Sequence, residues 1–398
     1  MRVVHVGKYY PPRWGGMETA VQDLCETTAR WAEVEAVVAH RGPRTLREER
    51  NGVRVTRLAA PAVLLSQPLT WTLPGYLRGI RADLLHIHEP NPIAVASWLA
   101  SRGRGRPIPA IIHYHSDVVR QKTAMRFYRP LQQRGLARAA AIVAGSGELI
   151  ESSTELSAWR DKCEVIPFGI RLDPFLQLQR IPSQVPCILA VGRLSYYKGF
   201  QYLIEAMRGL EARLVIVGEG EMRAELEARI RECGVGDSVR LAGRVDEASL
   251  LDYYRRADVF CLSSCERSEA FGLVQLEAMG AGLPIVSTDL PTGVRAINVD
   301  GVTGLVAPPH DAPALGLALA RLCADAGLRR RMGEAGRRRA MACFSREVMG
   351  RRIEALYARV LREAGHAAAI PQTMGVSGAG ASGGGWRVGE MVAKEAQR

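Results

Sequence analysis

Short apolar runs alternate with helical patterns along most of this chain. The apolar runs occupy residues 2–6, 34–39, 53–58, 83–88, 109–114, 141–145, 187–191, 213–217, 238–242, 258–262, 283–287 and 304–306. Helical patterns lie between several of them, for example at 18–31, 92–101, 199–208, 221–233, 247–256, 272–281 and 311–324. Near-continuous apolar strands separated by helices are typical of parallel βαβ units, so the pattern predicts an α/β fold with doubly wound parallel sheets.

The alternation runs through the chain twice, which predicts two domains. We expect an N-terminal domain over 1–170, a Pro-containing linker over 171–186 and a C-terminal domain over 187–345. A last helix is expected over 346–365. Residues 366–398 include a run rich in Gly and Ser, and we expect this tail to be disordered. A chain of 398 residues is long enough for two domains with sizeable cores.

Glu269 and Glu277 are the most informative polar residues of the second half, where they flank the turn Phe271-Gly272-Leu273-Val274. We expect Glu269 in the loop after a buried strand, and Glu277 about two turns into the next helix. A helix N-terminus offers free N–H groups to a phosphate. A carboxylate on each side can accept hydrogen bonds from sugar hydroxyls. The plain alternative is one surface glutamate and one glutamate on a helix face.

Two cations follow the apolar strand at 187–191 in the run Gly-Arg-Leu-Ser-Tyr-Tyr-Lys-Gly. Arg193 can form a fork of hydrogen bonds to phosphate oxygens, and Lys198 adds a point charge. Beyond the carboxyl end of a strand in an open α/β sheet, they suit a diphosphate. We expect both side chains to be exposed in a crevice. Solvated surface charge is the alternative.

Three segments of the first half lie at or after the ends of predicted strands and contain residues that can bind a ligand. Gly15 and Gly16 lie between the first strand and a helix, where backbone N–H groups can approach a ligand closely, although a plain turn explains them too. His115 ends the strand at 109–114 and can donate to a sugar hydroxyl or a phosphate oxygen, or act as a packed or capping residue. The run from His86 to Pro92 suggests a metal site, but no third ligand cluster accompanies it in the sequence, so we favour an acceptor-side or structural role.

Taken together, these motifs resemble glycosyltransferase family 4, the retaining enzymes of the GT-B fold. The Glu269–Glu277 segment is similar to the family's E-x7-E signature, and the run around Arg193 and Lys198 is similar to its donor-phosphate motif. The resemblance covers about residues 1–360. It implies two Rossmann-like domains facing a cleft, with the nucleotide-sugar donor against the second domain and the acceptor against the first. It also implies that the helix at 346–365 crosses back to the first domain.

The resemblance assigns roles to the candidate residues. Arg193 and Lys198 stabilise the leaving diphosphate, Glu277 holds the ribose, and Glu269 holds sugar hydroxyls and orients the anomeric carbon. His115 matches the family's sugar-contacting histidine. Backbone near Val245 pairs with the nucleotide base, and Glu247 reads a purine edge. Retention of the anomeric configuration without an evident protein nucleophile implies that the acceptor attacks the anomeric carbon on the face that the phosphate leaves.

Composition limits the partners and cofactors. The sequence contains no D-x-D triplet, which argues against a metal-dependent diphosphate site, so we expect neither a metal nor another cofactor. The Gly218-Glu219-Gly220 run lacks the third glycine of a dinucleotide fingerprint and is weak evidence for NAD. The eight cysteines show no paired or zinc-binding spacing and indicate reduced cytosolic thiols. No run of 18 apolar residues exists, so we expect a cytoplasmic protein.

The net charge is +12, and the basic residues are clustered in parts of the chain. Residues 118–138 carry six basic side chains, no acidic ones and seven interleaved apolar ones, namely Val118, Val119, Met125, Phe127, Tyr128, Leu131 and Leu136. Such a stretch can lie on an anionic membrane surface, at the inner face of the plasma membrane, and it is equally compatible with a solvated helix face. No nucleic-acid-binding module is recognisable.

The sequence favours a hexosyltransferase that uses a nucleotide-diphosphate sugar and a saccharide or lipid-linked acceptor. The motifs look most like bacterial mannosyl- or rhamnosyltransferases of surface polysaccharide assembly, which places GDP-mannose first among donors. Two alternatives stay open: another GT-B enzyme such as a UDP-sugar 2-epimerase, and a non-enzymatic protein that binds sugar nucleotides.

Overall fold

The computed structural model describes residues 1–370 apart from 13–14, 66, 102–106, 120 and 182, and it describes the backbone but not the side chain of Lys122. The chain divides into two compact units. The first comprises Met1–Gly169 together with residues 346–370, and the second comprises Ile170–Ser345. Of the tail expected to be disordered over 366–398, residues 367–369 form a short 3-10 turn, and the part from residue 371 on lies outside the described residues.

Sixteen strands form two large, mainly parallel sheets and one small hairpin within the described ranges. They are β1 (Arg2–Val6), β2 (Glu33–His40), β3 (Leu46–Arg50), β4 (Val53–Ala59), β5 (Val63–Leu64), β6 (Gln67–Pro68), β7 (Leu84–Glu89), β8 (Ala110–Tyr114), β9 (Ala141–Ala144), β10 (Cys163–Val165), β11 (Cys187–Val191), β12 (Arg213–Val217), β13 (Val239–Gly243), β14 (Val259–Leu262), β15 (Ile285–Thr288) and β16 (Gly304–Ala307). All twelve strands predicted from apolar runs are present. The others are short or, in β3, a charged and mostly exposed edge strand that carries no apolar signal.

Fourteen α-helices surround the sheets in the part of the chain that the structure describes. They are α1 (Gly16–Thr28), α2 (Leu73–Gly79), α3 (Pro92–Ala100), α4 (Lys122–Arg138), α5 (Gly147–Ser152), α6 (Asp173–Leu176), α7 (Phe200–Ala206), α8 (Arg223–Cys233), α9 (Glu247–Arg256), α10 (Val274–Gly280), α11 (Gly293–Ile297), α12 (Ala312–Ala324), α13 (Ala326–Cys343) and α14 (Arg346–Glu363). Local sequence fixes several starts. Asn91 caps α3 through its side chain, with Pro92 at the first helical position.

The strand order places one switch point in each sheet. The first sheet runs β10-β9-β8-β7-β1-β2-β4-β3, and only β3 is antiparallel to its neighbour. The second runs β13-β12-β11-β14-β15-β16 and is entirely parallel. The order reverses at β1 and β7 in the first sheet and at β11 and β14 in the second. Ligands of open α/β sheets bind outside the carboxyl ends of the strands at such points.

Each sheet is buried on both faces. In the second unit, α7, α8 and α12 cover one face with residues such as Leu203, Leu226 and Leu319. In the first unit, α14 lies on the sheet with α1, and Ile353 and Tyr357 pack against Val3 and Leu24. Arg346 at the start of α14 also forms an ion pair with Asp23 on α1.

Two elements differ from the sequence expectation. Residues 170–181 do not extend freely between the units but lie in the second one, where α6 contacts α10 and the N–H of Ile181 donates to the carbonyl of Arg255 at 3.0 Å. The helix expected at 272–281 begins at Val274, which puts Glu277 in its first turn rather than two turns in. No helix in the described ranges is long and apolar enough to cross a membrane.

Candidate functional site

The loops after β11 and β14 meet at the switch point of the second sheet. Gly199 adopts a left-handed conformation with φ 63°, and a Cβ placed there would lie 2.1 Å from the carbonyl oxygen of Ser263. The Ser263 hydroxyl in turn donates to the carbonyl of Lys198 at 2.9 Å. Only glycine allows this close approach, so the sequence around Gly199 fixes Lys198 beside the end of β14.

Lys198 and Glu269 form a buried ion pair at this point. The Lys198 Nζ lies 2.5 Å from Glu269 Oε2, and both side chains are about 10% exposed. The Ser264 hydroxyl donates to the same Oε2 at 2.8 Å. Burial alone lowers the pKa of Lys198, but the charge and hydrogen bond of Glu269 outweigh it and hold that pKa above its usual value. The sequence expectation that Lys198 is exposed is wrong, because the pair buries it.

Arg193 lies on the loop after β11 and is exposed, as expected. Its guanidinium pairs with Glu221, with Nη2 at 3.1 Å and Nε at 3.2 Å from Oε2. Glu221 belongs to the loop after β12. This loop passes close to the Arg193 loop, and only the lack of a side chain at Gly220 allows it, since a Cβ there would lie 2.2 Å from the carbonyl oxygen of Leu194. The Gly-Glu-Gly-Glu run, read in the sequence only as a weak dinucleotide motif, therefore supplies the partner of Arg193.

The turn from Glu269 to Glu277 is held by hydrogen bonds from neighbouring loops. The Thr292 hydroxyl donates to the carbonyl of Glu269 at 2.8 Å, and the N–H of Gly293 donates to that of Ala270 at 2.8 Å. Gly272 has φ 79°, which favours glycine. Phe271 is buried, while Leu273 and Val274, just before and at the start of α10, are half-buried.

Glu277 is anchored from α9. The hydroxyl of Tyr254 donates to Glu277 Oε2 at 2.7 Å, and Tyr254 is itself fully buried. The sequence analysis missed Tyr254, because nothing in the pattern of α9 distinguishes it from a core aromatic residue.

The predicted base-contacting residues lie at the start of α9. Val245 is half-buried, and Glu247 is exposed and pairs with Arg171 at 2.8 Å. Asp246 caps the helix by accepting from the N–H of Ser249 at 2.8 Å. This capped turn follows β13 at the carboxyl edge of the same sheet.

In the first unit, His115 belongs to a layer of five buried histidines on β1, β7 and β8 and just beyond β8. We call them the histidine layer: His5, His86, His88, His113 and His115. Register explains the layer, since His5 pairs with His86 and His88 pairs with His113 across neighbouring strands. Period-2 spacing then puts His86 with His88, and His113 with His115, on one face of the sheet. Tyr357 on α14 contacts His86 on this face.

The histidine layer is uncharged near neutral pH. Burial lowers the pKa of His5 to about 3. The pKa of His115 is also lowered to about 3, mainly by burial and to a smaller extent by the positive charge of nearby Lys8. Burial and the neighbouring imidazoles also lower the pKa values of His86, His88 and His113 well below the usual range. These side chains can therefore act as neutral hydrogen-bonding groups and not as cations.

Ring stacking in the layer argues against a shared metal ion. Ring nitrogens of His86, His88 and His113 lie within 4.8 Å of one another, so the expectation that no third ligand accompanies the His86–His88 pair is wrong. However, the rings of His86 and His88 stack at an interplanar angle of 7°, with centroids 4.9 Å apart. The lone pairs lie in the ring planes, so stacked rings point past one another. His86 Nε2 instead lies 3.2 Å from His113 Nδ1, within hydrogen-bonding distance.

Glu89 ends β7 beside this layer and is fully buried. It accepts hydrogen bonds from the Tyr128 hydroxyl, from the N–H of Asn91 and from the Gln132 amide. Burial raises the pKa of Glu89, and these donors and the Lys8 charge oppose the rise. The sequence analysis named Glu89 only within its motif, because partners on α4 could not be foreseen from spacing.

Gly15 and Gly16 begin α1, but Arg13 and Trp14 before them lie outside the described residues. A Cβ at Gly16 would meet no atom within 4 Å, so its backbone faces open space. Of the predicted residues, the structure brings Lys198 and Glu269 into contact and places Arg193, Val245 and Glu277 on the same unit. His115, Gly15 and Gly16 belong to the other unit.

Comparison with known proteins identifies two matched segments. Residues 15–169 match the family described as glycosyl transferase 4-like domain, and residues 176–339 match the family described as glycosyl transferases group 1. The chain is 32% identical over 363 residues to the O-antigen chain mannosyltransferase C of Escherichia coli, covering 88% of this chain and 96% of that protein. It is also 32% identical over 321 residues to the D-rhamnosyltransferase WbpZ of Pseudomonas aeruginosa, covering 78% and 83%.

Solved structures share the fold. A sucrose-phosphate synthase from Thermosynechococcus elongatus superposes with a TM-score of 0.76 at 24% identity, covering 91% of this chain and 99% of that one. Anabaena HepE in complex with UDP superposes with a TM-score of 0.73 at 18% identity, covering 90% and 100%. These likenesses confirm the predicted arrangement of two parallel-sheet α/β domains.

Proposed function

This chain belongs to glycosyltransferase family 4, whose members have the GT-B fold, and from that membership we propose that it transfers mannose from GDP-mannose with retention of configuration. It is a glycosyltransferase that uses a nucleotide sugar. The relatives at 32% identity are a mannosyltransferase and a D-rhamnosyltransferase, which favours a donor of the manno configuration. The observation that carries the proposal is the buried Lys198–Glu269 pair at the switch point of the second sheet.

The pair has the chemistry needed at a leaving diphosphate. Lys198 is held charged by Glu269, and its position at a strand end suits the negative charge that develops as the sugar–phosphate bond breaks. Arg193 provides a second cation at the same edge, once a phosphate replaces Glu221 as its partner. Both bonds to Glu269 fall on Oε2, and its Oε1 makes no hydrogen bond to described residues. That oxygen is the one we assign to the sugar hydroxyls.

The rest of the donor follows the same edge. We assign the ribose hydroxyls to Glu277, whose carboxylate Tyr254 holds in place. We assign the base to backbone near Val245 and to Glu247, which then exchanges its ion pair with Arg171 for the purine edge. The backbone from Phe271 to Val274 lies between the two glutamates, where we place the diphosphate and sugar.

Retention follows from attack on the face that the phosphate leaves. The bond from the anomeric carbon to the phosphate oxygen breaks, and the acceptor oxygen bonds to that carbon on the same face. The acceptor's proton passes to the leaving phosphate oxygen. We assign His115 the role of a neutral hydrogen-bond donor to the sugar or the phosphate, and Gly15 and Gly16 a backbone contact to the ligand. No metal or other cofactor enters this scheme, since Lys198 and Arg193 supply the positive charge.

A donor panel tests the proposal. GDP-mannose should raise the melting temperature more than UDP-glucose or dTDP-rhamnose, because a ligand that binds only the native state stabilises it. Transfer to a mannose-containing acceptor should give the α-linked product by NMR, and excess EDTA should leave the rate unchanged. A larger shift with a UDP sugar would overturn the GDP-mannose assignment, and loss of activity with EDTA that manganese restores would overturn the metal-free scheme.

We also propose a saccharide or lipid-linked acceptor, with α4 resting on an anionic membrane surface. The exposed face of α4 carries Arg126, Phe127 and Arg134, and Phe127 is 83% exposed. The other apolar residues of 118–138 do not face outward in the same way, because Tyr128 and Leu136 are buried in the unit. The surface that we assign to the membrane is therefore narrower than the sequence pattern indicated.

A further inference from the structure

The histidine layer contains two separate hydrogen-bonded chains. In the first, which we call the His115 chain, His5 Nδ1 lies 3.1 Å from His88 Nε2, and His88 Nδ1 lies 2.9 Å from His115 Nε2. In the second, the Tyr357 chain, the Tyr357 hydroxyl lies 2.5 Å from His86 Nδ1, and His86 Nε2 lies 3.2 Å from His113 Nδ1. Only the first chain includes His115.

The protons of the His115 chain move together. Each neutral imidazole has one N–H and one lone pair, so each nitrogen pair in the chain needs one donor and one acceptor. The chain therefore has two arrangements. Either every proton points towards His115, which leaves the His115 proton on Nδ1, or every proton points towards His5, which leaves it on Nε2. His88 is the residue through which the two ends are coupled.

The two ends of the chain differ. His5 is fully buried, and its Nε2 has no hydrogen-bond partner among the described residues. His115 is 5% exposed, so the chain opens at that end only. Because no described residue bonds to His5 Nε2 and could supply or take up a proton there, we do not assign the chain a role in conducting protons through the sheet. What it can do is fix which nitrogen of His115 carries the proton.

Ring stacking alone does not determine which nitrogen of His115 carries the proton. Phe168 stacks on His115 with centroids 5.2 Å apart, and His113 stacks on it at 4.5 Å. These contacts hold the plane of the His115 ring but are insensitive to which nitrogen is protonated. Orphaned buried N–H groups are rarer than under-satisfied acceptors, which favours the arrangement that leaves a lone pair on His5 Nε2.

We propose that His88, held by His5, is a positioning residue that keeps His115 as the neutral tautomer with its proton on Nδ1 and its lone pair on Nε2. His115 then presents a fixed N–H donor at the open end of the chain. Such a group donates to a phosphate or hydroxyl oxygen and cannot act as a general base. This inference rests on the role assigned to His115 in the proposed function. It adds a reason why His115 donates a hydrogen bond and does not accept one.

The tautomer can be measured without any activity. The full-length protein labelled with 15N-histidine contains eight histidines, and a His115→Gln variant identifies the His115 signals by their loss. The ring 15N shifts of the wild type should show His115 protonated on Nδ1 and unprotonated on Nε2. In His88→Leu, which removes the donor to Nε2, His115 should become a mixture of tautomers. A wild-type His115 protonated on Nε2, or already mixed, would overturn the proposal.

Activity separates positioning from packing through a matched pair of variants. His86 is as buried as His88 and lies on the same strand, but it belongs to the Tyr357 chain. His88→Leu should lower kcat at least about tenfold, by analogy with the loss of groups that orient metal-binding histidines. The affinity for free GDP should hold, since its proposed contacts lie in the second unit. His88→Asn keeps an amide N–H where Nδ1 was and should restore most of kcat.

His86→Leu should cost similar stability but keep kcat close to that of the wild type. Equal losses of kcat in His86→Leu and His88→Leu, at a temperature where both are folded, would show that the layer only supports the fold and would overturn the proposal. If the wild type transfers no sugar from any donor, the proposed function has failed, and the 15N measurement still decides the tautomer.

Discussion

The Lys198–Glu269 pair shows how burial changes the expected behaviour of a single residue. An exposed ion pair contributes little to stability, and removing one partner is nearly neutral. Here both partners are buried and the Ser264 hydroxyl donates to the same carboxylate oxygen. Removing Lys198 therefore leaves a buried carboxylate without its counter-charge. Arg193, by contrast, is 71% exposed and its partner Glu221 is exposed as well.

Alanine variants of these two cations should separate catalysis from stability. Lys198→Ala and Arg193→Ala should each lower turnover by about a hundredfold, as for a lost group that stabilises transition-state charge. Lys198→Ala should also lower the free energy of unfolding by roughly 3 kcal/mol, because it breaks a buried pair. Arg193→Ala should leave the melting temperature unchanged. The measurements are steady-state rates and thermal unfolding.

Glu221→Gln serves as the control for Arg193. It frees the guanidinium without removing it, so turnover should be maintained. Wild-type turnover in Arg193→Ala or Lys198→Ala would contradict the phosphate assignment.

Substitutions of Glu269 and Glu277 should have different effects on nucleotide binding and on sugar transfer. Glu277→Gln should weaken binding of free GDP, because that carboxylate is assigned to the ribose, and Tyr254→Phe should do so to a smaller extent by loosening it. Glu269→Gln should spare GDP binding and lower the rate of transfer. Titration calorimetry with GDP measures the first effect and a transfer assay the second. Equal losses of GDP affinity in Glu269→Gln and Glu277→Gln would refute the separate roles.

At the scale of the element, α4 joins the interior of the first unit to its surface. Its inner face places Tyr128 and Gln132 on Glu89 at the end of β7. Its outer face carries Arg126, Phe127 and Arg134. Arg129 is not available to a membrane in the same way, since it makes three hydrogen bonds to the carboxylate of Glu155, of 2.6 to 3.1 Å.

The outer face of α4 should mediate binding to anionic vesicles. The wild type should sediment with anionic and not with zwitterionic vesicles at low salt, and salt should release it, because each basic residue near the surface contributes about 1 kcal/mol and is screened by ions. Arg126→Glu with Arg134→Glu should abolish sedimentation while GDP binding persists. Arg129 is left unchanged so that its pair with Glu155 stays intact.

A matched charge change on another helix provides the control. Arg330→Glu with Arg331→Glu alters two exposed arginines on α13 and should leave vesicle binding unchanged. A wild type that ignores anionic vesicles, or equal losses in both double variants, would mean that α4 is a solvated face.

At the scale of the whole molecule, the two units differ in how they hold titratable groups. Seven of the eight histidines lie in the first unit, and five of them form the buried layer. The second unit contains only His310, which is exposed. Protonation of the buried histidines in mildly acidic solution should therefore act on the first unit.

The first unit should lose stability as the pH falls from about 6.5. The folded pKa values of His5 and His115 are about 3, below the usual 6.5, so below pH 6.5 the unfolded state binds more protons. Stability is therefore complete above 6.5 and declines towards pH 3, with each buried histidine contributing up to about 1.4 kcal/mol per pH unit.

Calorimetric unfolding between pH 7.5 and 5.5 measures this effect and should resolve a first-unit transition that moves and a second-unit transition that does not. His86→Leu removes one of the five groups and should reduce proton uptake on unfolding by about one. A first-unit transition independent of pH over this range would show that the buried layer does not stay neutral.

The sequence by itself determined the parts of this protein that depend on local pattern. Apolar runs predicted twelve of the fourteen strands of the two large sheets, because strands buried on both faces must be apolar throughout. The order of motifs identified the family, and glycine and charge at strand ends located Arg193, Lys198, Glu269 and Glu277. Such features lie within a few residues of one another and are read directly from spacing.

Only the tertiary structure decided which of these residues meet and which are buried. Lys198 and Glu269 are 71 positions apart and Tyr254 and Glu277 are 23 apart, so their contacts follow from the packing of loops and helices and not from local pattern. The histidine layer has the same origin. His5, His88 and His115 come from three distant parts of the chain, and parallel register alone aligns them, because it sets which side chains stand side by side on one face of the sheet.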